Sequence, residues 1–526
     1  MRRLSIGIID LIANAPKQEL YPRLFNAGFA SLMPQVIAVW CEQAGHHVTF
    51  ITYTGFENLS EELPDQTDLV FISAYTEGAQ LAYALSNLLR SKGTVTALGG
   101  PHARCYPQDA LQYFDYVFGF TDKTLICDLL HDSSRQRPIG VYLSAARQPT
   151  TLPGVVERWK FIASTLSKSR FIKIVPMLGS VGCPYTCSFC IDSTVPYQAF
   201  PLETIKEDLR FLVKTLRRPC VGWQDPNFGV RFNDYLDAIE EAVPPNSVSF
   251  LGEASLSLLT ESRLERLKRN GFKAILPGVE SWYDMGEKSN TGTKKGMDKV
   301  RQVSEHVNLI AQYIPYVQVN FVFGLDSEDG PAPFEFTKRF VDMTPGAFPG
   351  YSLLCAYGQA APFNVEYQRA NRVLPLPFHI LNSSIVTNVK PKNYSWTEFY
   401  DRFIDLTKYT ISWRANLSRC RAIDRVVPRL VLLLRAISYR GRGRIKHYTK
   451  LRQLLDNDAE VRDYFEQRTD RLPVFYVQRI RRDLGPFWHW LPEGALYHDP
   501  NAYMKSETAG RKRSHGAERR STETVA

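Results

Sequence analysis

Short apolar segments alternate with amphipathic helical segments along most of this chain. This alternation predicts an α/β fold in which helices cover parallel sheets. In the first part, strands are predicted at residues 4–12, 47–53, 68–74, 94–98 and 115–119. We therefore expect a doubly wound, Rossmann-like domain over residues 1–150. Ligands of such domains bind beyond the carboxyl ends of the strands.

The alternation resumes after residue 165 with a regular spacing that is typical of a partial (β/α)6 barrel, whose active site lies at the carboxyl ends of its strands. The six predicted strands cover residues 171–178, 220–224, 248–252, 274–278, 317–323 and 351–357. The 526 residues exceed what one hydrophobic core supports. We assign residues 165–360 to the barrel, 361–504 to a mainly helical C-terminal region and 505–526 to a disordered basic tail.

Three cysteines, Cys183, Cys187 and Cys190, follow the first barrel strand with C-x3-C-x2-C spacing. This spacing lets three thiolates converge on one face of a metal cluster and leaves a fourth corner open. Structural zinc normally takes four protein ligands, and no histidine lies between His131 and His306 to complete such a set. Iron–sulfur clusters are held by thiolates and tolerate a non-protein ligand. The alternative is three ordinary cysteines in a turn, which this spacing beside a glycine and a proline disfavours.

The loop from Gly182 to Cys190 resembles the signature of the radical S-adenosylmethionine (SAM) superfamily. The aromatic Phe189 before the third cysteine also fits this signature and is a candidate cofactor-binding residue. The resemblance implies that Cys183, Cys187 and Cys190 hold a [4Fe-4S] cluster whose free iron binds SAM through its amino and carboxylate groups. It also implies reductive cleavage of SAM to a 5′-deoxyadenosyl radical, which abstracts hydrogen from unactivated carbon. The electron donor would be an external protein of the flavodoxin or ferredoxin type.

Polar residues at later strand ends resemble the SAM-binding segments of this superfamily. Asp225, after the second strand, is expected to pair with the SAM ammonium. Glu253 ends the third strand and is a candidate for the SAM ribose or for substrate, with an ordinary surface glutamate as an equal alternative. Glu280 lies in a segment similar to the family's G-x-E-S motif, and Gly324 in the turn where backbone groups meet adenine. Each motif is weak alone, so the prediction rests on their order and spacing.

The first domain resembles the cobalamin-binding domain that precedes the barrel in one radical-SAM class. The matching elements are Ser73 after the third strand and Gly99 and Gly100 after the fourth, where small residues would let a corrin approach the backbone. One departure is that the segment from Asp10 to Ala15 lacks the histidine and glycine of the D-x-H-x-x-G motif. The resemblance allows cobalamin without a histidine ligand, and a Rossmann-like domain without cobalamin is the alternative.

These features predict an enzyme that uses a radical to functionalise an unactivated carbon of a small-molecule substrate, with cobalamin-dependent methylation as the preferred reaction. A non-methylating cyclisation or rearrangement without cobalamin is the first alternative. A non-catalytic metal-binding interaction protein is the second. Such a protein would bind no SAM, and the polar groups at the strand ends argue against it.

The net charge of +10 is concentrated in the C-terminal part of the chain, where six basic residues lie between 440 and 452 and more lie between 511 and 520. A nucleic-acid or acidic-lipid surface is one interpretation of the 440–452 run, and a solvated helix face is the preferred one. No stretch is long and apolar enough for a membrane span. The cysteine count is odd, and the six cysteines outside the loop show no pairing pattern, which favours a reducing compartment, so we expect a cytoplasmic protein.

Overall fold

The computed structural model describes residues 2–17, 27–28, 30–132, 140–169 and 171–502. The basic tail predicted at 505–526 lies outside the described residues. Two parallel sheets, each covered by helices, are followed by a helical region, which confirms the predicted α/β architecture. None of the helices in the described ranges has the length and apolar character that crossing a membrane requires.

The first sheet has six parallel strands in the spatial order β3-β1-β4-β5-β6-β7. Its central strands are almost fully buried, as expected for strands covered by helices on both faces. The two-residue β2 pairs outside this sheet with β8, which precedes the barrel. The strand bounds are β1 Ser5–Leu11, β2 Ala27–Gly28, β3 His47–Tyr53, β4 Leu69–Ala74, β5 Val95–Gly99, β6 Tyr116–Phe118, β7 Val141–Leu143 and β8 Ile172–Lys173.

Five of the six strands of this sheet match the predicted positions within two residues. The sixth, β7, was not predicted, since its three residues are too short to show a period. The helices between the strands carry apolar faces that pack on the sheet. Their bounds are α1 Leu32–Gln43, α2 Leu59–Glu62, α3 Ala79–Ser91, α4 Pro101–Cys105, α5 Pro107–Ala110, α6 Lys123–Asp132 and α7 Val155–Ser167.

The second sheet contains the predicted barrel strands, all parallel and arranged in chain order. Its fourth position is filled by two short strands, β14 and β15, which pair in succession with β16. The break between them falls at Leu276 and Pro277, because proline has no N–H for the ladder. The strands are β9 Val175–Met177, β12 Cys220–Trp223, β13 Ser249–Gly252, β14 Phe272–Ile275, β15 Gly278–Glu280, β16 Tyr316–Phe323 and β17 Phe348–Leu353, with the antiparallel pair β10 Ser180–Val181 and β11 Gln198–Ala199 beside them.

Helices follow the barrel strands as predicted and bury their apolar faces against the sheet. The longest of these helices begins at Gly296, whose φ of 56° is a left-handed conformation that suits glycine. The bounds are α8 Leu202–Thr215, α9 Phe232–Ala242, α10 Glu261–Arg269, α11 Gly286–Ser289, α12 Gly296–Tyr313 and α13 Ala332–Met343.

The C-terminal region packs an aromatic cluster against the last barrel strands. Phe403 lies 5.4 Å from Phe323 and 6.0 Å from Tyr351, ring centre to ring centre. This packing joins the helical region to β16 and β17 and continues the barrel core. The helices are α14 Asn364–Arg369, α15 Trp396–Thr410, α16 Trp413–Ala422, α17 Val426–Ile437, α18 Arg444–Asn457, α19 Ala459–Phe465 and α20 Val474–Leu484.

Candidate active site

The three cysteines lie in a loop between β10 and β11 that the backbone closes tightly. Gly182 enters the loop with a φ of 73°, and a Cβ there would lie 2.4 Å from the carbonyl oxygen of Val195. Only glycine fits that position without displacing backbone. Inside the loop the Cys190 N–H donates to the carbonyl of Cys187 at 3.0 Å. All three cysteine side chains are half-buried.

An apolar contact fixes the far end of the loop to the barrel and to the C-terminal region. Phe189 and Ile191, which flank the third cysteine, pack against a cluster that includes Leu354 and Phe363. The Phe363 N–H also donates to the carbonyl of Ser188 at 3.1 Å. Phe189 therefore anchors the loop. Its contact with a cofactor stays a prediction.

Asp225 holds the near end of the loop. Its buried carboxylate accepts hydrogen bonds from the Gly179 N–H at 2.7 Å, the Ser180 hydroxyl at 2.5 Å and the Tyr235 hydroxyl at 2.6 Å. Desolvation raises the pKa of Asp225, and these donors act against the rise. The carboxylate thus ties the segment before the cysteines to the end of β12. Its predicted contact with the SAM ammonium is not tested by this geometry.

A lysine that the sequence analysis did not single out supplies positive charge beside the cysteines. Burial raises the pKa of all three thiols, to about 11 for Cys190, and the charge of Lys288 lowers each of them. Lys288 Nζ lies 2.6 Å from Glu280 Oε1. Burial disfavours the Lys288 ammonium, yet Glu280 and the thiols keep its pKa above the ordinary value. The loop therefore faces a fixed cation, which favours thiolates.

Glu280 has an unusual backbone that places its carboxylate over β15. Its φ is 65°, which is uncommon for a residue with a side chain, and it is buried. A Cβ on Gly278 would lie 2.0 Å from Glu280 Oε1, so glycine at 278 makes room for this carboxylate. Backbone strain of this kind is concentrated at functional sites. Glu280 and Lys288 thus form a preorganised ion pair at the barrel mouth.

Glu253 lies in a recess near this ion pair. Its side chain is accessible to solvent. Nevertheless the surrounding protein desolvates the carboxylate and raises its pKa, with further effects from Lys288, Glu280 and Asp192. An accessible but desolvated carboxylate indicates a concave wall. Glu253 is therefore close to the cysteine loop, where a ligand could reach it.

The turn after β16 is built around Gly324 as predicted, and a buried glutamate stabilises it. Gly324 has a φ of 99°, and its N–H donates to Glu328 Oε2 at 2.7 Å. Burial raises the pKa of Glu328 to about 8, so the side chain is mostly protonated at neutral pH. The Gly324 N–H is thus already satisfied within the protein, and a contact between this turn and adenine stays a prediction.

The predicted small residues of the first sheet meet at its carboxyl edge. Asp10, Ser73 and Gly99 are paired side by side on β1, β4 and β5. A Cβ on Gly99 would meet no atom within 4 Å, so open space lies above it. Gly100, with a φ of 91°, lets the chain pass the Ala74 carbonyl, since a Cβ would lie 2.9 Å from that oxygen. The edge therefore forms an open cradle.

A cavity of about 290 Å³ connects this edge to the cysteine loop. One wall comes from Tyr75 and Glu77 after β4 and from the helix α4 after β5, and the opposite wall includes Ile191, one residue beyond Cys190. Tyr357 and residues 381–383 close the third side. The carboxyl edge of the first sheet and the cysteine loop thus border a single space.

Two direct contacts hold the walls of the cavity together. Arg104 on α4 donates to the carbonyl of Ile191 at 2.7 Å and lies 3.6 Å from the Asp192 carboxylate. Across the cavity, Asn382 donates to the Glu77 carboxylate. Neither pair was predicted, because partners far apart in sequence carry no local signal. Lys288 was missed because the cysteines beside it are distant in sequence.

The family model of the radical SAM superfamily matches residues 177–329, which include the cysteine loop, Asp225, Glu253, Glu280 and Gly324. The chain contains a radical SAM domain. Such a domain implies a [4Fe-4S] cluster and SAM as cofactors.

Two curated relatives extend the similarity beyond the radical SAM domain. The chain is 23% identical over 296 residues to the bacteriochlorophyllide d C-12(1)-methyltransferase of Chlorobaculum tepidum, a match that covers 55% of this chain and 64% of the relative. It is 25% identical over 291 residues to the hopanoid C-2 methylase of Rhodopseudomonas palustris, covering 53% of each. The chain therefore spans less than two thirds of the length of these two relatives.

The fold is also similar to a solved structure over nearly the whole chain. The cobalamin-dependent S-adenosylmethionine radical enzyme OxsB matches with a TM-score of 0.54 at 12% identity, covering 93% of this chain and 80% of that one. At this identity the match establishes the shared fold. Because the match covers 93% of this chain, it includes the first sheet as well as the radical SAM domain at residues 177–329.

The cysteine loop has the donor set that a cluster needs. Within the described ranges, no three Cys, His, Asp or Glu side chains converge on one point as ligands of a single metal ion would. Thiolates of an iron–sulfur cluster bind different irons and stand farther apart than the ligands of one ion. Three half-buried thiols on one closed loop, beside the cation of Lys288, fit this second arrangement.

We predict that Asp225→Asn destabilises the loop without unfolding the sheet. The amide would turn N–H groups toward donors that now share a carboxylate, at a cost of about 1–3 kcal/mol in the free energy of unfolding. Iron content after anaerobic reconstitution should fall below that of the wild type, while circular dichroism stays the same. The exposed Asp234→Asn is the control and should keep its iron. Unchanged iron content in Asp225→Asn would show that the Asp225 carboxylate is not needed to hold the cysteine loop.

Proposed function

We propose that this protein is a cobalamin-dependent radical SAM enzyme that methylates a carbon of a small-molecule substrate. The observation that carries the proposal is the cavity between the segments that follow β4 and β5 in the first sheet and Ile191 of the cysteine loop. Methyl transfer to a carbon radical requires the methyl donor and the hydrogen-abstracting centre to reach one substrate, and a single space between the two sheets meets that requirement. The two curated methyltransferases add support.

Each part of the chain has a distinct task in this proposal. Cys183, Cys187 and Cys190 would hold the cluster, and Lys288 with Glu280 would provide fixed charges beside it. Glu253 would contact SAM or substrate from the recess. When bound, the cluster and SAM supply a hydrogen-abstracting radical and cobalamin supplies the methyl group. The barrel mouth and the first sheet would exclude water from the space between them, which protects a reactive carbon centre.

The first sheet supplies the surface on which we place cobalamin. The row Asp10, Ser73 and Gly99 ends three neighbouring strands, and the missing side chain at Gly99 leaves room for a flat ring. Burial raises the pKa of Asp10 to about 6, and the Ser31 N–H donates to its carboxylate at 2.6 Å. The described residues that line the cavity include no histidine. We therefore propose cobalamin bound without a histidine ligand.

The methyl acceptor, the cellular compartment and the electron donor are also part of the proposal. The names of the curated relatives give bacteriochlorophyllide d and a hopanoid as methyl acceptors, so a small-molecule acceptor is proposed here. All nine cysteines are unpaired, which suits the reducing cytoplasm. We propose a flavodoxin- or ferredoxin-type protein as the electron donor, since the cluster must be reduced from outside.

Cleavage of SAM tests the first half of the proposal without knowledge of the acceptor. The enzyme reconstituted with iron and sulfide under anaerobic conditions should convert SAM to 5′-deoxyadenosine in the presence of dithionite, as measured by liquid chromatography and mass spectrometry. Cys183→Ala should reduce the product to background, because one cluster ligand is lost. Cys220→Ala, outside the loop, should retain activity. Wild-type amounts of product from Cys183→Ala would refute the assignment of the ligands.

Cobalamin binding tests the second half. Gly99→Val should leave the fold intact, because a Cβ meets no neighbouring atom, but it should fill the cradle and weaken cobalamin binding about tenfold or more. Binding can be followed by the absorbance retained after gel filtration, with iron content as the reference. Ser5→Val, at the amino end of β1, is the control. If Gly99→Val bound cobalamin as the wild type does, the placement of cobalamin at Gly99 would be wrong.

A further inference from the structure

The helix α17 exposes a continuous apolar face to solvent. Its exposed apolar residues recur every three or four positions, as one face of a helix requires. Val427 is 70% exposed and Ile437 60%. We call this set the α17 face: Val426, Val427, Leu430, Val431, Leu434 and Ile437. Exposed apolar patches of this size mark sites of interaction.

The opposite side of α17 is docked on the barrel, which fixes the direction of the α17 face. Leu432 packs in a small core with Phe348 and Ile423. The Arg435 guanidinium lies 4.4 Å from the centre of the Phe348 ring, and Arg419 of α16 lies 5.0 Å from it on the same cluster. Both helices therefore turn their buried faces to the start of β17 and their other faces outward.

The neighbouring helix α16 adds an aromatic residue to this surface. Trp413 at its first position is 82% exposed, and Leu417 one turn later is 40% exposed. Ala415 and Arg419, on the other side of the helix, are buried. An exposed tryptophan on a helix adjoining an exposed aliphatic helix face is typical of membrane-interface segments, where the ring occupies the headgroup level.

The sequence that forms α16, α17 and α18 is rich in basic residues and poor in acidic ones. Between residues 413 and 455 the sequence contains ten arginines and two lysines but a single acid, Asp424. Arg414, Arg421, Arg425 and Arg442 are exposed on α16, α17 and the turn that follows. This combination differs from a solvated helix face, which would carry charges of both signs and few large apolar side chains.

We propose that the α17 face, with Trp413, docks on the surface of an anionic membrane. The apolar side chains would enter the boundary between headgroups and acyl chains, and the surrounding arginines would pair with lipid phosphates. The helix has 12 residues and is about 18 Å long at 1.5 Å per residue, so it lies on the bilayer rather than crossing it.

Charge favours an anionic membrane over a second copy of the chain as the partner of the α17 face. In a symmetric dimer the α17 face would meet itself, so the basic residues around it would face basic residues with only Asp424 to offset them. Like charges brought together in this way oppose association. An anionic surface offers the complementary charge.

The position of the surface determines what docking would do. Phe348 and Tyr316, on which α17 packs, stand at the amino ends of β17 and β16. The cysteine loop stands at the carboxyl end of the barrel, so docking would anchor the enzyme and leave the mouth of the active site uncovered. This inference is independent of the proposed methylation, since it concerns where the protein resides and not what it transfers.

Vesicle binding by the full chain tests the proposal. The wild type should co-sediment with vesicles of phosphatidylcholine mixed with phosphatidylglycerol, weakly with phosphatidylcholine alone, and less as salt is raised. The double variant Val427→Asp with Leu430→Asp keeps every basic residue, including those beyond the described ranges. It should bind the mixed vesicles about tenfold or more weakly, because two apolar anchors are lost. Its circular dichroism and its iron content should match the wild type, as both side chains are already exposed.

A matched control carries the same new charges elsewhere. Val474→Asp with Tyr497→Asp replaces two exposed apolar residues away from α17 and should bind vesicles as the wild type does. The proposal is overturned if the wild type does not bind mixed vesicles, or if Val427→Asp with Leu430→Asp binds them equally well. The proposal is also overturned if the wild type binds no vesicles but sediments as a dimer, and Val427→Asp with Leu430→Asp sediments as a monomer. That result would identify the α17 face as an interface between copies.

Discussion

The buried carboxylate of Asp225 is the contact on which the arrangement of the active site depends. It accepts hydrogen bonds from the backbone of Gly179, the hydroxyl of Ser180 and the hydroxyl of Tyr235, and thereby joins β12, α9 and the entry to the cysteine loop. A buried carboxylate is costly unless its oxygens are paired, and here three donors pair them. Since the donors come from the entry to the loop and from α9, the carboxylate holds the start of the loop against the barrel.

A second set of contacts brings the two sheets to the same cavity. Arg104 reaches the carbonyl of Ile191, and the Tyr106 hydroxyl donates to the carbonyl of Ala356 at 3.0 Å. Gly358 approaches the backbone of Cys105 so closely that a Cβ would lie 1.9 Å from its carbonyl oxygen. These contacts surround α4, which follows the cradle at Gly99. The carboxyl edge of the first sheet therefore faces the cysteine loop.

Much of this architecture could be predicted from the sequence, because periodicity reports buried strands and helices directly. The strand at 47–53 has the predicted bounds, and those at 68–74 and 94–98 differ from them by one residue. Contacts between distant residues could not be predicted in this way. Nothing near Lys288 in the sequence indicates that it lies beside three thiols, and the partners of Asp225 come from 10 and 45 residues away. The sequence also could not tell which side of α17 is buried, since apolar residues occur on both.

In the proposed arrangement, the cysteine loop and the cradle at Gly99 hold two metal cofactors on opposite sides of one cavity. Anomalous diffraction at the iron and cobalt absorption edges, from crystals of enzyme reconstituted with cluster and cobalamin, locates both metals in one experiment. The expected result is an iron peak beside Cys183, Cys187 and Cys190 and a cobalt peak in the cavity between α4 and Ile191. Iron beside the cysteines with no cobalt in that cavity would contradict it.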